Sequence, residues 1–290
     1  MTEFRHDALT GDWVAISGMR QDRPNLPSGD CPFCVGGLEA PEPYEVKAFP
    51  NRWPIFVPGK PVELVGTDVP GRGAAEVVLY SPEHDASLAS LGRAGARRVV
   101  DLWAERTEAL LARPEIEYVL VFENRGAEVG ATIAHPHGQI YAFPFVPPLP
   151  AREAEVAAEH GCALCVPPPE ELVVYAGTGW RCYVPFASGW PYGTLIAPKE
   201  HVVGLTELDA ACRDGLAAAL VDVLARYDRL FDRPFPYMLW VHPGVHLHVH
   251  IAPPLRAAET MRFVAAGELG SGTLTNPVVP EAAAEALRRA

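Results

Sequence analysis

Two histidines separated by one residue carry the most specific chemistry in this sequence. They lie in the stretch His135-Pro136-His137-Gly138-Gln139, which follows an apolar, strand-like run at 118–122. On an extended strand, alternate side chains project from the same face, so we expect the two imidazoles to lie side by side. One imidazole could bind a metal while the other attacks phosphorus, because a neutral imidazole is a good nucleophile at pH 7.

Cysteine pairs of the form Cys-x-x-Cys precede both histidine clusters of the chain. The first pair, Cys31 and Cys34, lies upstream of an isolated His84 and of His135. In a cytosolic protein such a pair with downstream histidines indicates zinc rather than a disulfide. These four residues would complete a tetrahedral Cys2His2 site. A closed site of this kind has no position for water, so its expected role is structural: it would hold the histidine strand in place.

The order of these features repeats in the second half of the chain. Each half has a Cys-x-x-Cys pair, an isolated histidine, a long amphipathic run and a His-x-His cluster. The amphipathic runs, at about 92–112 and 209–231, place apolar residues at helical spacing. A period this long predicts a domain duplication. The predicted halves are residues 1–150 and 151–290, joined through the proline-rich segment 144–150.

Each half is predicted to contain several antiparallel strands packed against one long helix, which makes an α+β protein. The clearest strands are short runs of β-branched and aromatic residues. They lie at 77–80, 119–122, 181–186, 194–197 and 237–241.

Two further groups of metal-binding side chains are predicted in the second half. By duplication, a second zinc site could form; the alternative is a pair of buried thiols without a metal. Its four residues are Cys162, Cys165, His201 and His246. The other group has nitrogen and oxygen donors and could hold iron or zinc, the alternative being a polar patch with ordered water. Its residues are Glu153, His242, His248 and His250.

The composition excludes several classes of function. The 290 residues are 49% hydrophobic and carry a net charge of −12. A chain this acidic, with no long basic stripe, is not expected to bind nucleic acid. No apolar run is long enough to span a bilayer, and the first residues lack the apolar core of a signal peptide. We therefore expect a globular, cytoplasmic protein that does not bind membranes.

The stretch from Phe122-Glu123-Asn124-Arg125-Gly126 to the histidine pair resembles the galactose-1-phosphate uridylyltransferase family. This family is the branch of the histidine-triad superfamily that transfers nucleotidyl groups. The resemblance covers nearly the whole chain and includes the stretches Arg20-x-x-Arg23-Pro24, Tyr80-Ser81-Pro82-Glu83-His84 and Trp190-Pro191-Tyr192-Gly193-Thr194. It implies a duplicated histidine-triad-like fold with a catalytic first half and a non-catalytic second half. It also implies a homodimer whose active site draws on both subunits.

The resemblance implies roles for individual residues. His137 matches the nucleophile, and Gln139 matches the residue that contacts the α-phosphoryl oxygens. The matching zinc ligands are Cys31, Cys34, His84 and His135. The matching ligands of a second metal, iron in well-known members, are Glu153, His242, His248 and His250. The matching substrate-contacting positions are Arg20, Arg23, Asn51, Asn124, Thr132, Gln139, Phe263 and Glu268.

The activity implied by the resemblance is a ping-pong transfer of UMP from UDP-glucose to a hexose 1-phosphate, in galactose metabolism. A covalent uridylyl group on His137 would be the intermediate. Gln139 stands where the hydrolase branch of the superfamily has histidine. Because an amide can donate a hydrogen bond but cannot act as an acid or base, Gln139 favours transfer over hydrolysis.

Two segments depart from the family pattern. Residues 130–134 differ from the usual lead-in to the histidine motif, although Thr132 keeps a hydroxyl there. The tail at 261–273 lacks the glutamine that well-known members use on the hexose, and it looks closer to relatives that act as ADP- or UDP-sugar phosphorylases or adenylyltransferases. Such an enzyme, with the same histidine nucleophile, is the alternative function. A non-catalytic, metal-stabilised nucleotide-binding module is an alternative from another class.

Overall fold

The computed structural model describes residues 2–22, 30–56, 58 and 68–290. Its helices are α1 (Gly92–Leu111), α2 (Pro148–His160), α3 (Ala210–Leu230), α4 (Ala266–Ser271) and α5 (Pro280–Arg289). The strands of the first half are β1 (Thr2–His6), β2 (Trp13–Ser17), β3 (Lys47–Pro50), β4 (Asp68–Pro70), β5 (Ala74–Leu79), β6 (Tyr118–Arg125) and β7 (His137–Phe143). Those of the second half are β8 (Val173–Ala176), β9 (Trp180–Tyr183), β10 (Thr194–Pro198), β11 (Tyr237–His242), β12 (His248–Ala252), β13 (Leu255–Ala257) and β14 (Thr260–Met261).

One nine-stranded antiparallel sheet runs through both halves. Its strand order is β3-β5-β7-β6-β11-β12-β10-β9-β8, and β6 pairs with β11 at the centre. Read outward from this central pair, each half repeats the same order: a strand, the strand that carries its His-x-His cluster, and then further strands, which number two in the first half and three in the second. The predicted duplication is therefore visible as a pseudo-two-fold relation across the β6–β11 pair. The boundary at residue 150 stays a prediction.

The two faces of this sheet differ in burial and polarity, because alternate side chains point to opposite sides. Val119 and Val121 of β6 and Ile140 of β7 belong to the main hydrophobic core, which also takes in α1, α3 and α5. The side chains that point to the opposite face, such as Asn124 on β6 and His137 on β7, are only partly buried. One face thus holds the helices, and the other face carries the polar side chains.

Both long helices agree with their predicted spans within one or two residues. α1 and α3 pack against each other as well as against the sheet. α3 begins where Asp209 caps it, since the Asp209 carboxylate accepts a hydrogen bond of 2.7 Å from the backbone N–H of Cys212. Such a cap typically stabilises a helix by about 1 kcal/mol. Leu216, Leu220 and Val223 then form its buried stripe.

The α+β class predicted from the sequence is confirmed, and each predicted strand coincides with part of an observed one. A separate three-stranded sheet, β2-β1-β4, was not predicted. Its strands are short, and β2 alternates between half-buried and exposed residues, so it lacks a strong apolar pattern. In the part of the chain that the structure describes, no helix has the length and apolar character needed to cross a membrane.

A carboxylic acid lies inside the main core at Glu123 of β6, which is 4% exposed. The Tyr237 hydroxyl donates a hydrogen bond of 2.9 Å to Glu123 Oε1. Burial raises the pKa of Glu123 to about 7, although the hydrogen bond and the nearby Arg125 favour the ionised form. Near neutral pH this carboxyl therefore changes its protonation state.

The raised pKa of Glu123 predicts a pH-dependent stability. Between about pH 4.5, its ordinary value, and about pH 7, the folded protein binds more protons than the unfolded chain. The stability that this group contributes is therefore present at low pH and is lost as the pH rises through 7, by on the order of 3 kcal/mol. We expect the urea midpoint of Glu123→Gln to lack this slope when it is compared with the wild-type protein at each pH. Parallel curves for the two proteins would contradict the assignment.

Candidate active site and metal sites

His137 is the first residue of β7 and lies on the sheet face opposite the helices. Its Nδ1 is 2.7 Å from the backbone carbonyl oxygen of His135. A carbonyl only accepts, so Nδ1 carries the proton and the lone pair of the neutral ring is on Nε2. The ring of His137 is thus oriented by its own main chain.

Glycine is required between His137 and Gln139. A Cβ atom on Gly138 would lie 2.1 Å from the Tyr80 hydroxyl oxygen and 3.0 Å from the carbonyl oxygen of Phe122. The first contact is closer than any real side chain allows, and the second is tighter than most, while both partners are held in the sheet and core. Gly138 therefore lets β7 lie close against the core while its two neighbours face the site.

Asn51 orients Gln139 through a chain of hydrogen bonds. The Trp53 backbone N–H donates to Asn51 Oδ1 at 2.9 Å, and Asn51 Nδ2 donates to Gln139 Oε1 at 3.3 Å. Arg20 extends the chain by donating to the carbonyl oxygen of Trp53 at 3.2 Å. With its oxygen engaged, the Gln139 amide can turn its NH2 group towards an anionic oxygen. Three predicted substrate residues are brought together here.

Replacing Asn51 with aspartate is expected to slow covalent labelling of His137 by roughly tenfold to hundredfold. Aspartate keeps the acceptor for the Trp53 N–H but has no proton to give Gln139, so the Gln139 amide turns its NH2 group inwards. The measurement is the single-turnover rate of adduct formation with a nucleotide-sugar donor. Asn51→Ala removes the donor without adding charge and should also be slow; two rates equal to wild type would show that Asn51 does not orient Gln139.

A cleft of about 500 Å³ opens in front of His137. Asn124 and Thr132, both predicted substrate residues, line it together with Arg125. A volume of this size is in the range of sites that hold small ligands. Arg125 was not singled out from the sequence. Its guanidinium pairs with Asp228 at 2.7 Å, so it contributes to the wall more than to the net charge of the cleft.

The remaining predicted substrate residues are placed elsewhere. Phe263 is 74% exposed, and Glu268 lies in α4, where it accepts hydrogen bonds from the backbone N–H groups of Thr275 and Ala265 at 2.8 and 3.1 Å. Glu268 also pairs with Arg262. Neither Phe263 nor Glu268 lines the cleft of this chain. Arg23 lies outside the described residues.

The first cysteine–histidine group comes together as predicted, with all its ligand atoms within 4.8 Å of one another. Cys34 Sγ is 3.4 Å from His84 Nδ1 and 3.7 Å from His135 Nδ1. A tetrahedral zinc ion with ordinary Zn–S and Zn–N lengths separates sulfur from nitrogen by about 3.6 Å. The ring of His135 is fixed from behind, since its Nε2 is 2.8 Å from the carbonyl oxygen of Ser81. The residues therefore fit a zinc ion.

The second cysteine–histidine group repeats this geometry. Cys165 Sγ is 3.3 Å from His201 Nδ1 and 3.7 Å from His246 Nδ1, and Cys162 Sγ is 3.4 Å from His246 Nδ1. His246 Nε2 faces the carbonyl oxygen of Pro198 at 3.2 Å, as His135 faces Ser81. These distances also agree with a tetrahedral zinc site.

The third group, Glu153 with three histidines, gathers on the polar face of the second half. Glu153 Oε1 is 3.0 Å from His242 Nδ1 and 3.7 Å from His248 Nε2. Burial lowers the pKa of His250 to about 3, with the neighbouring His248 and His242 adding to the effect. The Nε2 of this neutral ring is buried and has no hydrogen-bond partner among the described residues. An unsatisfied nitrogen beside a carboxylate and two imidazoles fits a metal ion.

The sheet register shows where this third group comes from. Phe122 of β6 pairs with Gln139, and Trp240 of β11 pairs with His250. His250 is therefore the counterpart of Gln139, which makes His248 the counterpart of His137 and His242 that of Asn124. His248 even keeps the hydrogen bond from Nδ1 to the carbonyl oxygen two residues back, at 2.7 Å. The three histidines occupy, in the second half, the positions of the candidate active site.

Comparisons with known proteins agree with this duplicated site. A model of the N-terminal domain of galactose-1-phosphate uridyl transferases matches residues 67–147, and a model of their C-terminal domain matches residues 167–290. The chain is 38% identical to the galactose-1-phosphate uridylyltransferase of Thermotoga maritima, over 99% of this chain and 98% of that protein. The chain belongs to the galactose-1-phosphate uridylyltransferase family.

Solved structures place the chain within this family at the level of the whole fold. A structure of a uridylyltransferase superposes with a TM-score of 0.89 at 31% identity, covering 99% of this chain and 97% of that one. The ADP-glucose phosphorylase of Arabidopsis thaliana, solved with bound ADP-glucose, superposes with a TM-score of 0.78 at 25% identity, covering 100% and 99%. As a member of the uridylyltransferase family, the chain is an enzyme of the nucleotidyltransferase class, as predicted.

Proposed function

We propose that this enzyme transfers UMP from UDP-glucose to a hexose 1-phosphate, with galactose 1-phosphate as the acceptor of first choice. The observation that carries the proposal is the fixed orientation of His137. Its Nδ1 proton is held by the His135 carbonyl at 2.7 Å, so the lone pair of the neutral ring is on Nε2, the atom that attacks phosphorus in this proposal. Gln139 lies two residues further along the same strand face, with its amide oriented by Asn51.

The proposed reaction has two displacements at phosphorus. In the first, His137 Nε2 forms a bond to the α-phosphorus of UDP-glucose, and the bond to glucose 1-phosphate breaks. The ring now carries positive charge, which strengthens the hydrogen bond from Nδ1 to the carbonyl. In the second, an oxygen of the hexose 1-phosphate attacks the uridylyl group, and His137 leaves as neutral imidazole. That oxygen is already ionised, so no external base is required.

Positioning supplies most of the catalysis in this scheme. The attacking nitrogen and the phosphoryl group must approach in line, and fixing them replaces a bimolecular encounter. In the proposal, the Gln139 NH2 group donates to a phosphoryl oxygen as charge builds there. Asn124 and Thr132 add polar groups on the wall of the same cleft. The net charge of −12 makes such local donors necessary for an anionic substrate.

Metals have a structural part in the proposal. Zinc would be held by Cys31, Cys34, His84 and His135, and a second zinc by Cys162, Cys165, His201 and His246. A third ion, iron or zinc, would be held by Glu153, His242, His248 and His250. When bound, the first ion fixes His135 through Nδ1, and this residue's own carbonyl orients His137. The three groups share no residue, so all three can be filled together.

A sugar-nucleotide phosphorylase with the same histidine is the second candidate function. In it, inorganic phosphate replaces the hexose 1-phosphate as acceptor. The sequence of the tail supports this candidate, because residues 261–273 lack the family's glutamine and resemble relatives that act as sugar-nucleotide phosphorylases. The likeness to an ADP-glucose phosphorylase over the whole chain points the same way.

Intact-protein mass spectrometry distinguishes these functions. The enzyme is incubated without acceptor, once with UDP-glucose and once with ADP-glucose. A uridylyl adduct that galactose 1-phosphate removes supports the uridylyltransferase, and an adenylyl adduct that inorganic phosphate removes supports the phosphorylase. Nucleotide binding without an adduct from either donor would leave the non-catalytic binding module. A homodimer, implied by the family resemblance, and a cytoplasmic location, expected from the composition, belong to the same proposal; sedimentation tests the dimer.

A further inference from the structure

A buried polar cluster lies directly beneath the nucleophile, on the helix side of the sheet. It consists of Tyr80, which follows β5, Glu123 of β6 and Tyr237 of β11, with exposures of 1%, 4% and 0%. The residues around it form the main apolar core. A carboxyl in such a place is costly unless its partners compensate. None of the three side chains has a part in the reaction described above.

Tyr80 touches the chain on both sides of His137. Its backbone N–H donates to the carbonyl oxygen of Pro136 at 3.1 Å. Its hydroxyl lies against Gly138, where an added Cβ would be only 2.1 Å away. The ring is held from the other side by an edge-on contact with Trp103 of α1, at 5.9 Å between centroids. Tyr80 is thus a fixed point between the helix layer and the residues that flank the nucleophile.

Glu123 acts electrostatically on the hydroxyl end of Tyr80. The Tyr237 hydroxyl already donates to Glu123 Oε1 at 2.9 Å. Glu123 Oε2 and the Tyr80 hydroxyl are both buried, and neither has a hydrogen-bond partner among the described residues. The two groups interact electrostatically, since burial and then the charge of Glu123 raise the pKa of Tyr80 well above 10. Tyr80 therefore keeps its hydroxyl proton, and Glu123 is the buried carboxyl whose charge acts on that hydroxyl.

We propose that Tyr80 and Glu123 are positioning residues for His137. They fix the position of the main chain at 136–138 from the helix side of the sheet. This position determines the direction of His137 Nε2. Tyr237 couples this support to β11, so the second half contributes to the geometry of the active site in the first. The proposal rests on the nucleophilic role of His137 proposed above and adds two residues whose side chains are buried beneath the nucleophile.

The experiment compares Tyr80→Phe, Glu123→Ala and Glu123→Gln in the full-length protein. We expect Tyr80→Phe and Glu123→Ala to lower the single-turnover rate of His137 labelling by UDP-glucose about tenfold, with the steady-state KM for UDP-glucose unchanged within about twofold. Glu123→Gln keeps a hydrogen-bonding side chain and should recover most of the rate. The double variant Tyr80→Phe/Glu123→Ala should be no slower than either single variant, because the two residues act as one unit.

Tyr227→Phe is the matched control. Tyr227 is as buried as Tyr80, and its hydroxyl bonds Thr194 and the carbonyl oxygen of Tyr192, but it lies on α3, away from β7. This variant should lose stability and label at the wild-type rate. Equal rates for Tyr80→Phe, Glu123→Ala and wild type would overturn the proposal, as would a loss that simply follows the folded fraction. Failure of the wild-type protein to form any adduct would instead count against the proposed function.

Discussion

Replacing His137 with alanine is expected to lower nucleotidyl transfer by a factor of about 10⁴ or more, with folding intact. The factor follows from the loss of the only covalent route through the reaction, and losses of this order accompany removal of a catalytic nucleophile in other enzymes. His137 is partly exposed on the sheet face away from the core, so its removal leaves no buried cavity. Turnover and intact mass after incubation with UDP-glucose measure the effect.

His160→Ala is the control for this prediction. His160 ends α2, and its side chain is 66% exposed. This variant should carry the adduct and turn over as the wild-type enzyme does. If His137→Ala formed the adduct at the wild-type rate, the nucleophile would be another residue. His248, its counterpart in the second half, would then be the first to test, since it has the same hydrogen bond to the chain.

Replacing Cys34 with serine is expected to remove one zinc ion per chain and to lower the melting temperature by roughly 10 °C or more. Cys34 Sγ is close to both histidine nitrogens of the first group, so it is central to the site. Without the ion, His135 loses its support at Nδ1, and the carbonyl that orients His137 becomes mobile. Labelling of His137 should therefore slow in the protein that remains folded. Metal analysis, calorimetry and adduct formation measure the three effects.

Cys212→Ala separates this effect from the general cost of replacing a cysteine. Cys212 is partly buried and belongs to none of the three metal groups. Its replacement should leave the metal content unchanged and shift the melting temperature by only a few degrees. A Cys34→Ser protein with full metal content and an unchanged melting temperature would rule out the first zinc site. Cys165→Ser applies the same test to the second group.

Much of the fold could be predicted from the sequence because local patterns were strong. α1 and α3 have apolar residues at helical spacing over about 20 residues, and their ends agreed closely with the structure. The cysteine and histidine groups were identified because metal chemistry fixes which side chains occur together and at what short spacings. The duplication supplied a second, independent instance of each feature.

The sequence could not show contacts made across the sheet. The pairing of β6 with β11 joins residues more than one hundred positions apart, and nothing local in either strand specifies it. The hydrogen bond between Asn51 and Gln139 and the contact of Tyr80 with Gly138 also join residues that are far apart in the sequence. Arg125 and Asp228 form an ion pair that no short motif could indicate. The equivalence of Asn124 with His242 emerged only from the strand register.

Because β6 and β11 pair at the centre of the sheet, the two halves of the chain are arranged as the two subunits of a symmetric dimer would be, although they belong to one polypeptide. A fragment ending soon after β7 would present β6 as an open edge, with a row of unsatisfied backbone groups. A second copy of the fragment could cover that edge by the same antiparallel pairing, which would generate a symmetric assembly with two nucleophiles. Fusion frees one of the two copies from catalysis. In the present chain, the second half has His242 and His250 at the positions that correspond to Asn124 and Gln139 of the first half. A fusion of this kind would allow the second site, which is non-catalytic in the proposal, to hold a metal ion instead of a substrate.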